Sequence, residues 1–281
     1  MRKLATITVI GKDRTGLVAR ITNFLFEQKA NIEALEEQVT RGHFSMTVQA
    51  SWKPAEFKSY AVESGLRKLG GELGLDAKIR YTDPGRLQRM AIFVTKETHC
   101  FEAIVKELKA GRIKAEPVIV ISNRPDLRPL AEKARLPFFE VDYNDRPAAE
   151  RKIIAKLDEV EADFIVLARF MKILSPNFVW RFKNKILNIH PSLLPSFPGA
   201  QAYRQAYERG VKIVGVTSHF VTMDLDEGPI ITQGSFRLRT NEPLASIVQR
   251  GQALESRVLV EAIKLYLRKR LDVYWGKVHH L

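Results

Sequence analysis

The sequence predicts an α/β protein in two parts. A βαββαβ unit spans residues 1–83, a linker spans 84–88, and a doubly wound domain on a mostly parallel sheet spans 89–281. Three observations carry this reading. Strand and helix patterns interleave through the first part. Thr82-Asp83-Pro84-Gly85 interrupts the pattern with turn residues. Beyond it the strand-like runs are continuously apolar, as strands covered on both faces are.

Leu4 to Ile10 alternates apolar and polar residues like a half-buried strand, and Gly11 to Gly16 is a turn. Leu17, Val18, Ile21, Phe24 and Leu25 follow helical spacing. Asn31 to Val39 and Phe44 to Ala50 form a hairpin across Arg41-Gly42. Ala55 to Leu69 is expected as a second helix with Pro54 at its start, and Asp76 to Tyr81 as a closing strand. That order is the split βαβ, ferredoxin-like plan. In the second part, Met90 to Thr95, Val118 to Ser122 and Phe164 to Leu167 read as buried strands. Leu244 to Leu267 reads as one long helix, and Val273 to Trp275 as a final edge strand.

The 281 residues are 45% hydrophobic and 27% charged, the composition of a chain that can bury a core without disulfides. Cys100 is the single cysteine, so neither an intrachain disulfide nor a cysteine-built zinc site is available. No apolar run approaches the ~18 residues of a membrane helix. Met1 to Leu4 leads directly into a strand pattern without a signal-peptide region, so a cytoplasmic location is expected. The net charge of +13 is spread along the chain. With no basic run and no RNA-recognition or zinc-finger signature, neither nucleic acid nor membrane is expected as a partner. The charge is read first as a generally basic, soluble surface, and a polyanionic small molecule would also suit it.

Two segments carry chemistry. In Ile186 to Pro195 an apolar strand ends in Asn188 and His190, which two-residue spacing places on one face. Ligands of open α/β sheets bind beyond the carboxyl ends of such strands. Thr217 to Pro229 begins in a strand, carries Asp224, Asp226 and Glu227 through a loop, and turns at Gly228-Pro229. An amide, an imidazole and a carboxylate suffice for acyl transfer or hydrolysis. Asn188 can donate to an oxyanion, His190 can donate or protonate a leaving nitrogen, and Asp226 can take a proton from water. A lone asparagine or histidine in a loop is more often a turn or cap residue, so the residues alone leave both readings open.

Asn188-Ile189-His190-Pro191-Ser192-Leu193-Leu194-Pro195, Pro198-Gly199, His219 to Thr222 and Leu225 to Pro229 closely resemble the formyltetrahydrofolate-dependent formyltransferase fold family. The resemblance implies Asn188, His190 and Asp226 as catalytic residues. Ala168 to Leu174 resembles that family's pterin-pocket loop. It implies substrate contacts at Arg169, Phe170, Met171, Lys172, Ile173 and Leu174, joined by His219 and Thr222. His219 either supports the aspartate loop or is a satisfied strand-end residue.

Within the family the deformylase branch fits best. The N-terminal unit resembles an ACT domain in its Asp13-Arg14-Thr15-Gly16 turn and Ala30-Asn31-Ile32 segment. Gly199-Ala200 through Lys212 resembles the deformylase wording. Thr95 to Phe101 lacks the glycine-rich loop with which the ribonucleotide formyltransferases hold a phosphate, and Glu97 would repel one. The resemblance implies 10-formyltetrahydrofolate as substrate, no prosthetic group, no metal and a homo-oligomer. It also implies either an amino-acid effector near Asp13, Arg14, Thr15, Gly16 and Asn31, or an ACT-like module used only for assembly. The expected reaction releases formate for purine synthesis. The rival readings are transfer to an amine acceptor and a non-catalytic folate- or amino-acid-binding regulator. Cys100 begins a helix, where a thiol's pKa can fall, but a packing role is expected. Lys277 to Leu281 matches no pattern.

Overall fold

The computed structural model describes every residue except Met1, Arg41, Pro84, Ala200, Lys269, Arg270, Trp275 and Leu281. Those eight, including the turn's Arg41, the linker's Pro84, Ala200 and the terminal Trp275 and Leu281, lie outside the described residues. The chain forms two compact units, Met1–Arg86 and Leu87–Leu281.

The first unit runs β1 (Lys3–Lys12), α1 (Leu17–Glu27), β2 (Asn31–Thr40), β3 (His43–Trp52), α2 (Ser59–Leu73) and β4 (Leu75–Tyr81). Its antiparallel sheet has the order β2-β3-β1-β4. The strand period of two sends Phe44, Met46, Val48, Ala50 and Trp52 of β3 into the core against Leu17, Ile21 and Leu25 of α1. Gly16 precedes α1 with φ 88°, a conformation costly to residues with a Cβ.

The second helix differs from expectation at both ends. Lys53 to Glu56 is a turn, closed by the Glu56 N–H on the Lys53 carbonyl at 3.0 Å. Pro54 therefore sits at the second position of a β-turn, which its fixed φ favours, rather than at a helix start. The helix waits until Phe57 is seated, with its ring 5.5 Å from Trp52 and 5.3 Å from Tyr81. It then continues past Leu69 through Gly70 and Gly71. A Cβ on Gly70 would lie 3.0 Å from the Leu75 carbonyl, so glycine there lets α2 lie close to β4. Gly74 ends the helix in the left-handed conformation.

The second unit runs β5 (Gln88–Val94), α3 (His99–Lys109), β6 (Ala115–Ser122), α4 (Arg128–Lys133), β7 (Phe138–Glu140), α5 (Arg146–Glu159), β8 (Phe164–Leu167), α6 (Pro176–Arg181) and β9 (Ile186–His190). It continues with α7 (Ala202–Glu208), β10 (Ile213–Phe220), β11 (Ile230–Arg237), α8 (Leu244–Leu267), β12 (Leu271–Tyr274) and β13 (Lys277–His280). Seven strands form one sheet in the order β11-β10-β9-β8-β5-β6-β7. Strands β5 to β9 are parallel, and β10 and β11 are antiparallel additions. The chain steps outward from β5 to β7, then returns to β8 on the other side of β5. That reversal is a switch point, where such sheets leave a crevice at the strands' carboxyl ends. One apolar layer packs beneath α3 and α8 and another beneath α5 and α6. This two-sided cover explains the uninterrupted apolar runs.

The C-terminus also differs from the expected edge strand. Val273 does not join an edge of the main sheet. It belongs to a separate hairpin in which β12 pairs with β13, and Leu271, Val273 and Val278 pack on the α8 side of the core. Gly276, at φ 70°, supplies the reversal that lets the segment pair with itself. No helix among the described residues is long and apolar enough to cross a membrane.

Two glycines should respond oppositely to alanine. A Cβ on Gly228 would lie 1.7 Å from the Phe220 carbonyl oxygen, so Gly228→Ala should destabilise by ~3 kcal/mol or more. Gly71 lies inside α2 with open space around it, so Gly71→Ala should stabilise by about 0.5–1 kcal/mol. Thermal unfolding of the two variants checks both signs.

Candidate active site

A cavity of ≈ 500 Å³ opens at the carboxyl ends of β8 and β9. Its walls are the segment after β8, the segment entering α7 and the loop after β10, with Leu244 and Val248 of α8 closing one side. Asn188 and His190, two apart on β9, both face it. β10 runs antiparallel to β9 with His219 opposite Asn188 and Thr217 opposite His190. Paired residues share a face of the sheet, so His219 joins the same wall.

The hydrogen bonds order this group. His219 Nδ1 lies 2.9 Å from the Phe220 carbonyl, and its Nε2 lies 3.1 Å from the Asn188 amide nitrogen. A carbonyl only accepts, so Nδ1 carries the proton and Nε2 receives the Asn188 amide. Burial pushes the His219 pKa down, against the opposing pull of the Phe220 carbonyl and the Asp226 charge. The ring is therefore a neutral acceptor at neutral pH. It holds the Asn188 NH2 by one hydrogen and leaves the other for an oxygen in the cavity.

Asp226 sits at φ 59°, with Oδ2 accepting from the Gly199 N–H at 3.0 Å. That carboxylate lies 3.3 Å from His190 Nδ1 and 3.8 Å from His219 Nε2. His190 Nε2 donates to the Phe197 carbonyl at 3.0 Å. Both His190 nitrogens are thus engaged, one by a carbonyl and one by Asp226. Gly228 permits the loop's return, since any side chain there would strike Phe220. The Thr217 hydroxyl donates to the Ser192 carbonyl and accepts the Leu194 N–H, latching the proline-rich loop to β10.

All six residues Arg169 to Leu174 line the cavity, as do His219 and Thr222. They do so in different ways. Phe170 and Leu174 turn into the core, with the Phe170 ring 5.2 Å from Phe93 and 5.8 Å from Tyr143. Met171 and Ile173 stay 53% and 60% exposed. The Met171 N–H donates to Thr95 Oγ1 at 3.1 Å, fixing the segment to the end of β5. Thr222 Oγ1 donates to the Asp224 carbonyl and shapes its own loop. Thr95, which begins the stretch where a phosphate loop would stand, is committed to Met171 and Asn123.

The effector constellation is not brought together within one chain. Asp13 to Gly16 follow the end of β1, next to the end of β2, because Lys12 and Thr40 both pair with His43. Asn31 starts β2 at the other end of the sheet, opposite Ser51 and in line with Leu4. Ten-residue strands separate the two groups by ~30 Å. Asn31 instead donates to Glu33 at 3.0 Å.

Sequence reading missed Tyr203 and Glu255. Glu255, 0% exposed on α8, lies 3.0 Å from His99 Nε2, 3.3 Å from Arg169 Nε and 2.8 Å from the Tyr203 hydroxyl that donates to it. The available signal was an acidic residue in phase with Gly251, Val258 and Leu259 on the apolar stripe of α8. The donor atoms of His99, Cys100 and Glu255 lie within 4.8 Å of one another. The set suits an ion pair better than a metal. The Arg169 guanidinium already supplies the positive charge, and burial with the Glu255 charge pushes the Cys100 thiol well up, away from the thiolate a metal needs.

The Formyl transferase family model matches residues 88–263, and the ACT domain model matches residues 3–80. The formyltetrahydrofolate deformylase of Bacillus subtilis (strain 168) is 37% identical over 270 residues, covering 94% of this chain and 89% of that protein. The crystal structure of a formyltetrahydrofolate deformylase from Pseudomonas putida KT2440 aligns with a TM-score of 0.66 at 32% identity, covering 99% of this chain and 100% of that one. The structure of glycinamide ribonucleotide transformylase 1 from Symbiobacterium toebii aligns with a TM-score of 0.67 at 34% identity, covering 72% of this chain and 96% of that one. The transformylase likeness leaves more than a quarter of the chain unmatched, whereas the deformylase likeness runs through both units: the chain belongs to the formyltetrahydrofolate deformylase family.

Proposed function

We propose that the chain hydrolyses 10-formyltetrahydrofolate to formate and tetrahydrofolate at the β8–β9 cavity, with Asn188, His190 and Asp226 as its catalytic residues. The carrying observation is the convergence of an amide, an imidazole and a carboxylate on one cavity in a chain with full-length deformylase relatives. Water attacks the formyl carbon and gives its proton to the Asp226–His190 pair. The resulting oxyanion takes the Asn188 N–H that His219 leaves unused. The C–N bond then breaks as the pair returns that proton to N10, and the formic acid so formed loses its remaining proton to solvent and departs as formate. The engaged Nε2 of His190 favours a role in proton transfer with Asp226 over direct donation to the oxyanion. Met171, Ile173 and Leu225 offer exposed apolar surface at the mouth for the aromatic part of the substrate.

The proposal extends to setting and assembly. The reaction would supply formate for purine synthesis in the cytoplasm. The N-terminal unit would join copies through β2, an edge strand that leaves Ile32, Leu35 and Val39 exposed. Antiparallel pairing of two β2 strands would set Asp13 to Gly16 of one copy beside Asn31 of the other, completing an effector site that one chain cannot build.

Three outcomes are expected. Purified protein given 10-formyltetrahydrofolate without an amine should release formate, Asp226→Asn should abolish release, and Asn188→Ala should lower kcat ~10²-fold or more. Turnover only after an amine is added would make the chain a transferase. NMR of labelled histidine should show the His219 Nδ1–H neutral tautomer at pH 7, protonating only below the ordinary 6.5. Because the folded pKa lies under the unfolded one, the stability tied to His219 is full above 6.5 and is lost as pH falls through the folded value. Finally, Leu35→Lys with Val39→Lys should shift light-scattering mass toward smaller species.

A further inference from the structure

We infer that Glu255 is a positioning residue for deformylation: without lining the cavity, it fixes the two walls between which the formyl group is held. This rests on the reading of that cavity as the folate site.

Each wall is tied to the buried carboxylate by one side chain. On the first, Glu255 Oε2 forms an ion pair with Arg169 Nε at 3.3 Å, held by charge rather than by an aligned hydrogen bond. Arg169 turns its segment, standing at φ 65°, a left-handed conformation that a residue with a Cβ seldom adopts. Its turn sends Phe170 into the core and presents the Met171 N–H to Thr95. On the second wall, Glu255 Oε1 accepts from Tyr203 at 2.8 Å. Tyr203 lies in the first turn of α7, four residues after Gly199, whose N–H holds Asp226. Gly251, one turn before Glu255 on α8, gives the Tyr203 ring its seat: a Cβ there would lie 2.3 Å from the ring. His99 at the start of α3 occupies the remaining side at 3.0 Å.

The electrostatics make the tie hard to break. Burial opposes ionisation of Glu255, and His99, Arg169 and Tyr203 together outweigh it, holding the carboxyl below its ordinary range. A neutral amide at this position would keep the volume and lose the charge that holds Arg169.

The test measures formate release by wild type, Glu255→Gln, Arg169→Gln, Tyr203→Phe and the Glu255→Gln/Arg169→Gln pair, well below each variant's Tm. Glu255→Gln should lower kcat at least ~10-fold, as slight misplacement of reacting groups does. KM should stay within about threefold. The double variant should lose less than the two single losses combined, because both variants break the same Glu255–Arg169 contact. Tyr203→Phe removes one hydroxyl and leaves the ring on Gly251, so it decides the matter should Glu255→Gln fail to fold. Wild-type kcat in both Glu255→Gln and Tyr203→Phe, a fall in Tm alone, or additive losses in the pair would overturn the inference. Absence of release by wild type is a different result: it removes the proposed reaction, and this inference with it.

Discussion

The pairing of β10 with β9 is the constraint on which the site depends. Its register puts His219 opposite Asn188 and Thr217 opposite His190. A slip of β10 by one residue would turn His219 and Thr217 to the other face of the sheet, away from Asn188 and His190. With the register fixed, the neutral His219 ring determines which way the Asn188 amide points, and Thr217 ties down the loop that follows His190. The pairing of β10 with β11 shifts register between Ser218 and His219, while the β9 side stays regular. The irregularity falls on the side away from β9.

The parts of this arrangement that follow local periodicity were legible in the sequence. Asn188 and His190 share a face because strands repeat every two residues, and α8 runs from Leu244 to Leu267 as its spacing indicates. Pro54 misled because proline serves a helix start and the second position of a β-turn equally well. Only the docking of Phe57 between Trp52 and Tyr81 selects the turn. The final hairpin was missed for a similar reason. A four-residue strand pairs with whatever edge is nearest, and here that edge is its own continuation.

Relations between distant segments were not legible. The separation of Asn31 from Asp13 to Gly16 follows from β3 lying antiparallel between β1 and β2, which puts those residues at opposite ends. The Glu255 cluster joins residues from three helices and the segment after β8, and one acidic residue in an apolar stripe signals burial without naming a partner. The spread of positive charge likewise gave no hint that one arginine is enclosed beside a carboxylate.

The wall segment after β8 combines residues that anchor it with residues that face outward. Phe170 and Leu174 are sunk in the core, while Met171 and Ile173 project outward between them. Exchanging an exposed side chain costs little folding free energy, whereas trimming a sunken phenylalanine costs ~3–5 kcal/mol. The two outward positions can therefore be exchanged over evolutionary time, or under directed selection, and reshape the mouth of the cavity while the packed residues beneath them keep the course of the segment.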